Sequence, residues 1–125
     1  MGMYTELLLK CDVKNDIPDA DKKVLNFLFN NGEEPFLDEL PLHKFFIETR
    51  WKHIGNSSSY YHIPWATSKY AEDYIFSRSD FKNYRTEIET FLDYLSPLLD
   101  TEEGKCIGYW WYEEDNEPTL IFHHK

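Results

Sequence analysis

The sequence predicts an α+β domain in two layers: a mainly antiparallel sheet of five to six strands with two helices packed on one face. Three observations carry this expectation. Apolar and polar residues alternate near both ends of the chain, two inner stretches place apolar residues at helical spacing, and clusters of Asn, Gly, Ser and Pro punctuate the segments between them. At 125 residues the chain is long enough for one hydrophobic core and a single domain, 1–125. An aromatic fraction of 18% supplies large buried areas on few residues, so neither a disulfide nor a metal is needed to hold the domain.

From Tyr4 to Lys14, Thr5, Leu7, Leu9, Cys11 and Val13 alternate with Glu6, Lys10, Asp12 and Lys14, the pattern of a half-buried strand. Asn15-Asp16-Ile17-Pro18 breaks it. A helix is expected from Pro18 to Asn30: Ile17, Ala20, Val24, Leu25, Leu28 and Phe29 recur at helical spacing, and Asn30-Asn31-Gly32 supplies a left-handed stop. Residues Glu33 to Leu42 have no period and read as a loop. From His43 to Ile54, Phe45, Ile47, Thr49 and Trp51 alternate with Phe46, Glu48, Arg50 and Lys52, which predicts a second strand, paired through the turn at Gly55 to Ser59 with a third at Tyr60 to Trp65. Pro64 makes that third strand an edge or an irregular one.

Residues Thr67 to Ser79 fit both periods. Tyr70, Ala71, Tyr74 and Ile75 line one face of a helix, whereas Asp73 to Ser79 alternates; the strand reading is preferred. Asn83 is a good N-cap for a second helix bearing Tyr84, Ile88, Phe91, Leu92, Leu95, Leu98 and Leu99, and Pro97 should end it. Two closing strands, Lys105 to Tyr112 and Thr119 to His124, flank an acidic turn. Alternation puts Cys106, Gly108, Trp110 and Tyr112 on one face and Ile107, Tyr109 and Trp111 on the other. The resulting order most simply builds a split βαβ, ferredoxin-like plan with extra strands.

Charge narrows the class of partner. The net charge is -10, and seven acids between Asp100 and Glu117 face one base, Lys105, a local net of -6. Phosphate backbones are bound by Lys and Arg that displace counterions, so direct nucleic-acid binding is not expected. No run approaches the length of a membrane span, no secretory segment is visible, and the cytoplasm is the expected compartment. Both cysteines, Cys11 and Cys106, read as small buried apolar strand residues.

Catalytic and cofactor motifs are absent. The histidines His43, His53, His62, His123 and His124 form no HxH or HExxH pattern; His123 and His124 point to opposite faces of a strand, and only His62 and His123 have a route to convergence. Ser57-Ser58-Ser59 sits in a turn without a nucleophile elbow. No catalytic residue, cofactor or metal is therefore assigned.

What remains is an interaction surface: Tyr109 and Trp111 beside Glu113, Glu114, Asp115 and Glu117. Aromatic anchors with neighbouring acids suit a basic protein partner, which an inhibitory protein of immunity or phage anti-defence type would occupy. The alternative is an aromatic, acid-rimmed pocket for a cationic or nucleobase-like small ligand, in a binding domain or an enzyme. An uncovered sheet face, or the edge near Pro64, also invites a homodimer. The stretches YTELLLKCDVKNDIP, SSSYYHIPW, FKNYRTEIETFLDYLSP and GYWWYEEDNEPTLIF resemble a group of small hypothetical proteins encoded in phages and prophages. That resemblance spans nearly the whole chain and implies a phage or bacterial context, without a known activity or site.

Overall fold

The computed structural model describes residues 4–59, 65–71, 73–83 and 85–124. Strand β1 (Thr5–Asp12) forms where the first alternation predicts it, with Leu7, Leu9 and Cys11 buried and the intervening residues turned outward. Helix α1 (Asp19–Asn30) follows, closed by Asn31 in a left-handed conformation, and buries Val24, Leu25, Leu28 and Phe29. Strands β2 (Thr67–Ala71) and β3 (Tyr74–Phe81) make a hairpin. Helix α3 (Glu87–Leu95), which runs into a 3-10 turn containing Pro97, precedes β4 (Cys106–Tyr112) and β5 (Thr119–Phe122).

The five strands are antiparallel in the order β2-β3-β1-β4-β5. Both β1 and β2 pair with β3, so β1 and β2 are parallel with β3 between them. With α1 after β1 and α3 after β3, the first four strands realise the split βαβ plan, and β5 is the addition. The strand expected over Asp73 to Ser79 is present as β3. Residues 67–71, which also fitted a helix, are its hairpin partner.

One predicted strand is replaced by another element. Residues 43–54, expected as a second strand, instead form a short helix α2 (Phe45–Glu48) and a 3-10 turn at Trp51–His53. The alternation assumed that Phe45, Ile47 and Trp51 share a buried face, but Phe45 and Trp51 are buried while Ile47 is exposed. What decides the segment is an aromatic cluster: Phe45 stacks on Tyr94 at 5.7 Å, and Phe46 meets Trp51 and Tyr94 edge-on at 5.0 Å. His43 starts the helix by accepting the Phe45 N–H at Nδ1. The expected third strand, Tyr60 to Trp65, lies outside the described residues except for Trp65, which is exposed.

Buried polar groups tie the layers together. Glu87, 1% exposed, accepts the backbone N–H groups of Arg50 and Arg85. The Tyr94 hydroxyl donates to buried Asp21, which joins α3 to α1; burial and this acceptor push its pKa up. Asn30 donates its amide to the Tyr70 carbonyl and accepts the Tyr70 N–H, closing part of the β2 edge. The N-cap of α3 is Thr86 rather than the expected Asn83, because the helix begins at Glu87; Asn83, three residues upstream, still accepts the Ile88 N–H.

The cysteines part company. Cys11 is buried, and burial together with neighbouring Asp12 pushes its pKa up to about 12; Cys106 is exposed, contrary to its expected burial. The cause is a register shift between Cys106 and Gly108, which brings Ile107 into the core and turns Cys106 out. Alkylation of the native protein should therefore label Cys106 and spare Cys11 until unfolding, as read by peptide mass spectrometry. Equal native labelling of both thiols would contradict this placement.

Candidate functional site

Among the described residues, most of the sheet face away from the helices is open, the segment at residues 57–59 covering it at Asp80, and the strand register determines what it shows. One row crosses all five strands: Thr67, Arg78, Leu8, Tyr109 and Leu120. The next row places Trp111 beside Glu6 and Asp80. Leu7 and Leu9 point to the helices, so their neighbours Leu8, Tyr109 and Trp111 must point away. Tyr74, Phe76, Trp111, Leu120 and Phe122 are all exposed large apolar side chains, which gives this face far more apolar character than a solvated sheet surface requires.

At its centre is a closed polar network. Arg78 donates Nε–H to Glu6 at 3.0 Å, and the Tyr109 hydroxyl donates to the same Glu6 oxygen at 2.5 Å. Burial, then the hydrogen bond to Glu6, pushes the Tyr109 pKa up to about 12, against an opposing effect of Arg78. The phenol is therefore protonated at neutral pH and donates. Hydrogen bonding to Glu6 likewise raises the pKa of Arg78. This pairing neutralises the middle of the face and leaves the free charge elsewhere. Lys10 and Lys69 flank Phe76 on the β1 and β2 side, and the acids cluster at the β4 end.

That acidic end is held in place by the turn after β4. Trp111 packs edge-on against Tyr109, with ring centres 6.4 Å apart, and its indole N–H donates to the Asp115 carbonyl at 3.0 Å. Glu113 accepts the Tyr4 N–H, while the Glu113 N–H donates to the Tyr4 carbonyl, which anchors the turn to the start of the sheet. Glu113, Glu114, Asp115 and Glu117 are all exposed. A cavity of ≈ 230 Å³ lies between Tyr4, Glu6, Trp111, Glu113 and Asp115. Of the six residues singled out from the sequence, Tyr109, Trp111, Glu113 and Asp115 meet at this end of the face, and Glu114 and Glu117 are exposed in the same turn.

No protein-family model, curated protein or solved structure matches the chain. The fold by itself carries no activity, so function rests on the geometry of this face and on the side chains described below.

The histidines are dispersed. His43 donates Nε2–H to Asp93 at 3.0 Å while Nδ1 caps α2, His124 pairs with Glu103, and His53 contacts Ser57 at 3.2 Å. His62 lies outside the described residues, so its convergence with His123 has no place here. Among the described residues no group of three or more His, Cys, Asp or Glu side chains is placed to hold a metal ion. No helix among them is long and apolar enough to cross a membrane. Ser59 is engaged structurally: its backbone N–H and hydroxyl both donate to buried Asp80.

Proposed function

We propose that the protein is a small acidic binding protein that docks a basic protein partner on the β4 end of its helix-free face and acts by occupying that partner's basic surface. The observation that supports this most directly is the placement of Tyr109 and Trp111, outward, adjacent and flanked by four exposed acids. Rigid aromatic anchors supply contact energy, and nearby like charges steer an oppositely charged protein into register. A phage-encoded or immunity-type inhibitor of a nucleic-acid enzyme is the concrete form of this reading, because such enzymes carry basic grooves. Catalysis has no part in it. The cavity beside Trp111 has room for the cationic end of one lysine or arginine of the partner, held by cation-π attraction and by Asp115. The second reading, a free cationic small ligand, rests on that same cavity.

The test uses the partner recovered by affinity purification. Reversing Glu113, Glu114, Asp115 and Glu117 to lysine should slow association by about tenfold or more at low ionic strength and flatten its salt dependence. Trp111→Ala should chiefly speed dissociation. Unchanged association kinetics in the fourfold variant would reject the acidic turn as the docking site. Stabilisation by small cations, without a protein partner, would favour the second reading.

A further inference from the structure

The helix layer leaves part of its own side of the sheet open as well, and this second opening has a different chemistry. Between α3 with its 3-10 extension and the strands β4 and β5 runs a groove of ≈ 970 Å³, at the upper end of the size range of small-molecule sites. Its floor is apolar: Leu92 from α3, Leu99, Ile107 and Ile121, with half-buried Trp110. The register shift at Gly108 creates this floor, because it turns Ile107 to the helix side, where Trp110 and Ile121 already face.

His123 lines the same groove. It is 3% exposed, and its Nε2 is buried without a hydrogen-bond partner among the described residues. Backbone hydrogen bonds hold the residue: the His123 N–H donates to the Lys105 carbonyl at 2.8 Å, and its carbonyl accepts the Gly104 N–H at 2.7 Å. A buried polar atom without a partner is uncommon in folded proteins and calls for an explanation. The charge of the lining supplies a second constraint. Glu89, Asp93 and Asp100 stand against Lys14 alone, which leaves the groove net negative. An anion is repelled there, and a purely apolar ligand leaves Nε2 unpaired.

We propose that this groove binds an arylalkyl- or alkylammonium compound, its apolar body against Trp110, Ile107 and Ile121, and that the His123 ring, whose unpartnered Nε2 lies behind the groove wall, turns to accept its N–H. The indole face of Trp110 adds cation-π attraction, and the acids supply the countercharge at short range. The groove shares none of Tyr109, Trp111, Glu113, Glu114, Asp115 and Glu117 with the docking surface, although Leu120 and Phe122 of the helix-free face reach its β5 edge.

Phenethylamine and its anionic counterpart 3-phenylpropanoate are suitable probes, titrated into the full chain and followed by the NMR shifts of the Ile107 and Ile121 methyl groups and the His123 ring nitrogens. The amine should give saturable shifts at all three residues and bind about tenfold or more tighter than the carboxylate. His123→Phe, which keeps the volume and removes the acceptor, should weaken amine binding by about tenfold. If that variant fails to fold, Glu89→Gln/Asp100→Asn, which alters only exposed groups, should weaken it in the same direction. Absence of saturable shifts, equal affinity for 3-phenylpropanoate, or unchanged amine affinity in the folded variants would overturn the proposal.

Discussion

Phe45→Ala should cost about 3–5 kcal/mol, the range for deleting a fully buried aromatic ring, and lower the melting temperature by on the order of 10 °C. Phe45 has no exposed surface and contacts four other rings: Phe46, Trp51, Phe91 and Tyr94. Truncation leaves a hole that these rings cannot all close, because α3 holds Phe91 and Tyr94 and the chain direction fixes Trp51. Domain stability is typically about 5–15 kcal/mol, so this one ring is a large share of the whole. The control lies two residues away. Ile47→Ala, at a position 79% exposed, should change stability by less than about 0.5 kcal/mol. A strand over this segment would put Phe45 and Ile47 on the same face and give them similar costs. Equal destabilisation in thermal melts would therefore rule out α2 as described.

That contrast locates the limit of the sequence pattern. Periodicity reports burial only where neighbours along the chain share one packing surface, as in β1, α1 and α3, where the alternation or helical spacing matched the fold; in β4 it holds only from Gly108 to Tyr112. Around Phe45 the buried positions are chosen by rings that come from α1 and α3, so local alternation predicts a strand where the tertiary partners make a helix. Strand β2 was hard to read for the opposite reason. Thr67–Ala71 buries only Tyr70, and its place in the sheet is set by pairing with β3 and by Asn30 at its edge.

The outward face of β4 was largely legible, because Tyr109 and Trp111 follow by alternation from their neighbour Trp110, which packs against the core. The anchoring of Glu113 on Tyr4 was not, since it joins residues 109 positions apart. The groove between α3 and β4–β5 was hidden for a more specific reason. Strict alternation assigned Ile107 to the same face as Tyr109, and only a register shift moves it inward to form a floor with Ile121. His123 was singled out as a strand residue, but its orphaned nitrogen depends on where α3 lies.

The register shift itself yields the second large effect. Gly108→Ala should destabilise by about 3 kcal/mol, the upper part of the range for overpacking, and reduce the folded fraction measurably at moderate temperature. A Cβ at residue 108 would lie 1.9 Å from the Leu8 carbonyl oxygen and 2.9 Å from its carbon, both backbone atoms of the adjacent central strand. A flexible side chain could swing aside, whereas here β1 and β4 must separate, which breaks pairing between the two strands that carry Leu8, Tyr109 and Trp111. Gly104→Ala is the matched comparison: nothing lies within 4 Å of its Cβ, and only its positive φ of 83° opposes the change, at about 1 kcal/mol. If the chain instead absorbs the methyl group by restoring simple alternation, Cys106 turns inward and Ile107 outward. Native alkylation of Cys106 would then fall and amine binding in the groove would be lost together, while a melting temperature unchanged to within about 2 °C would show that the close approach to Leu8 is not a constraint.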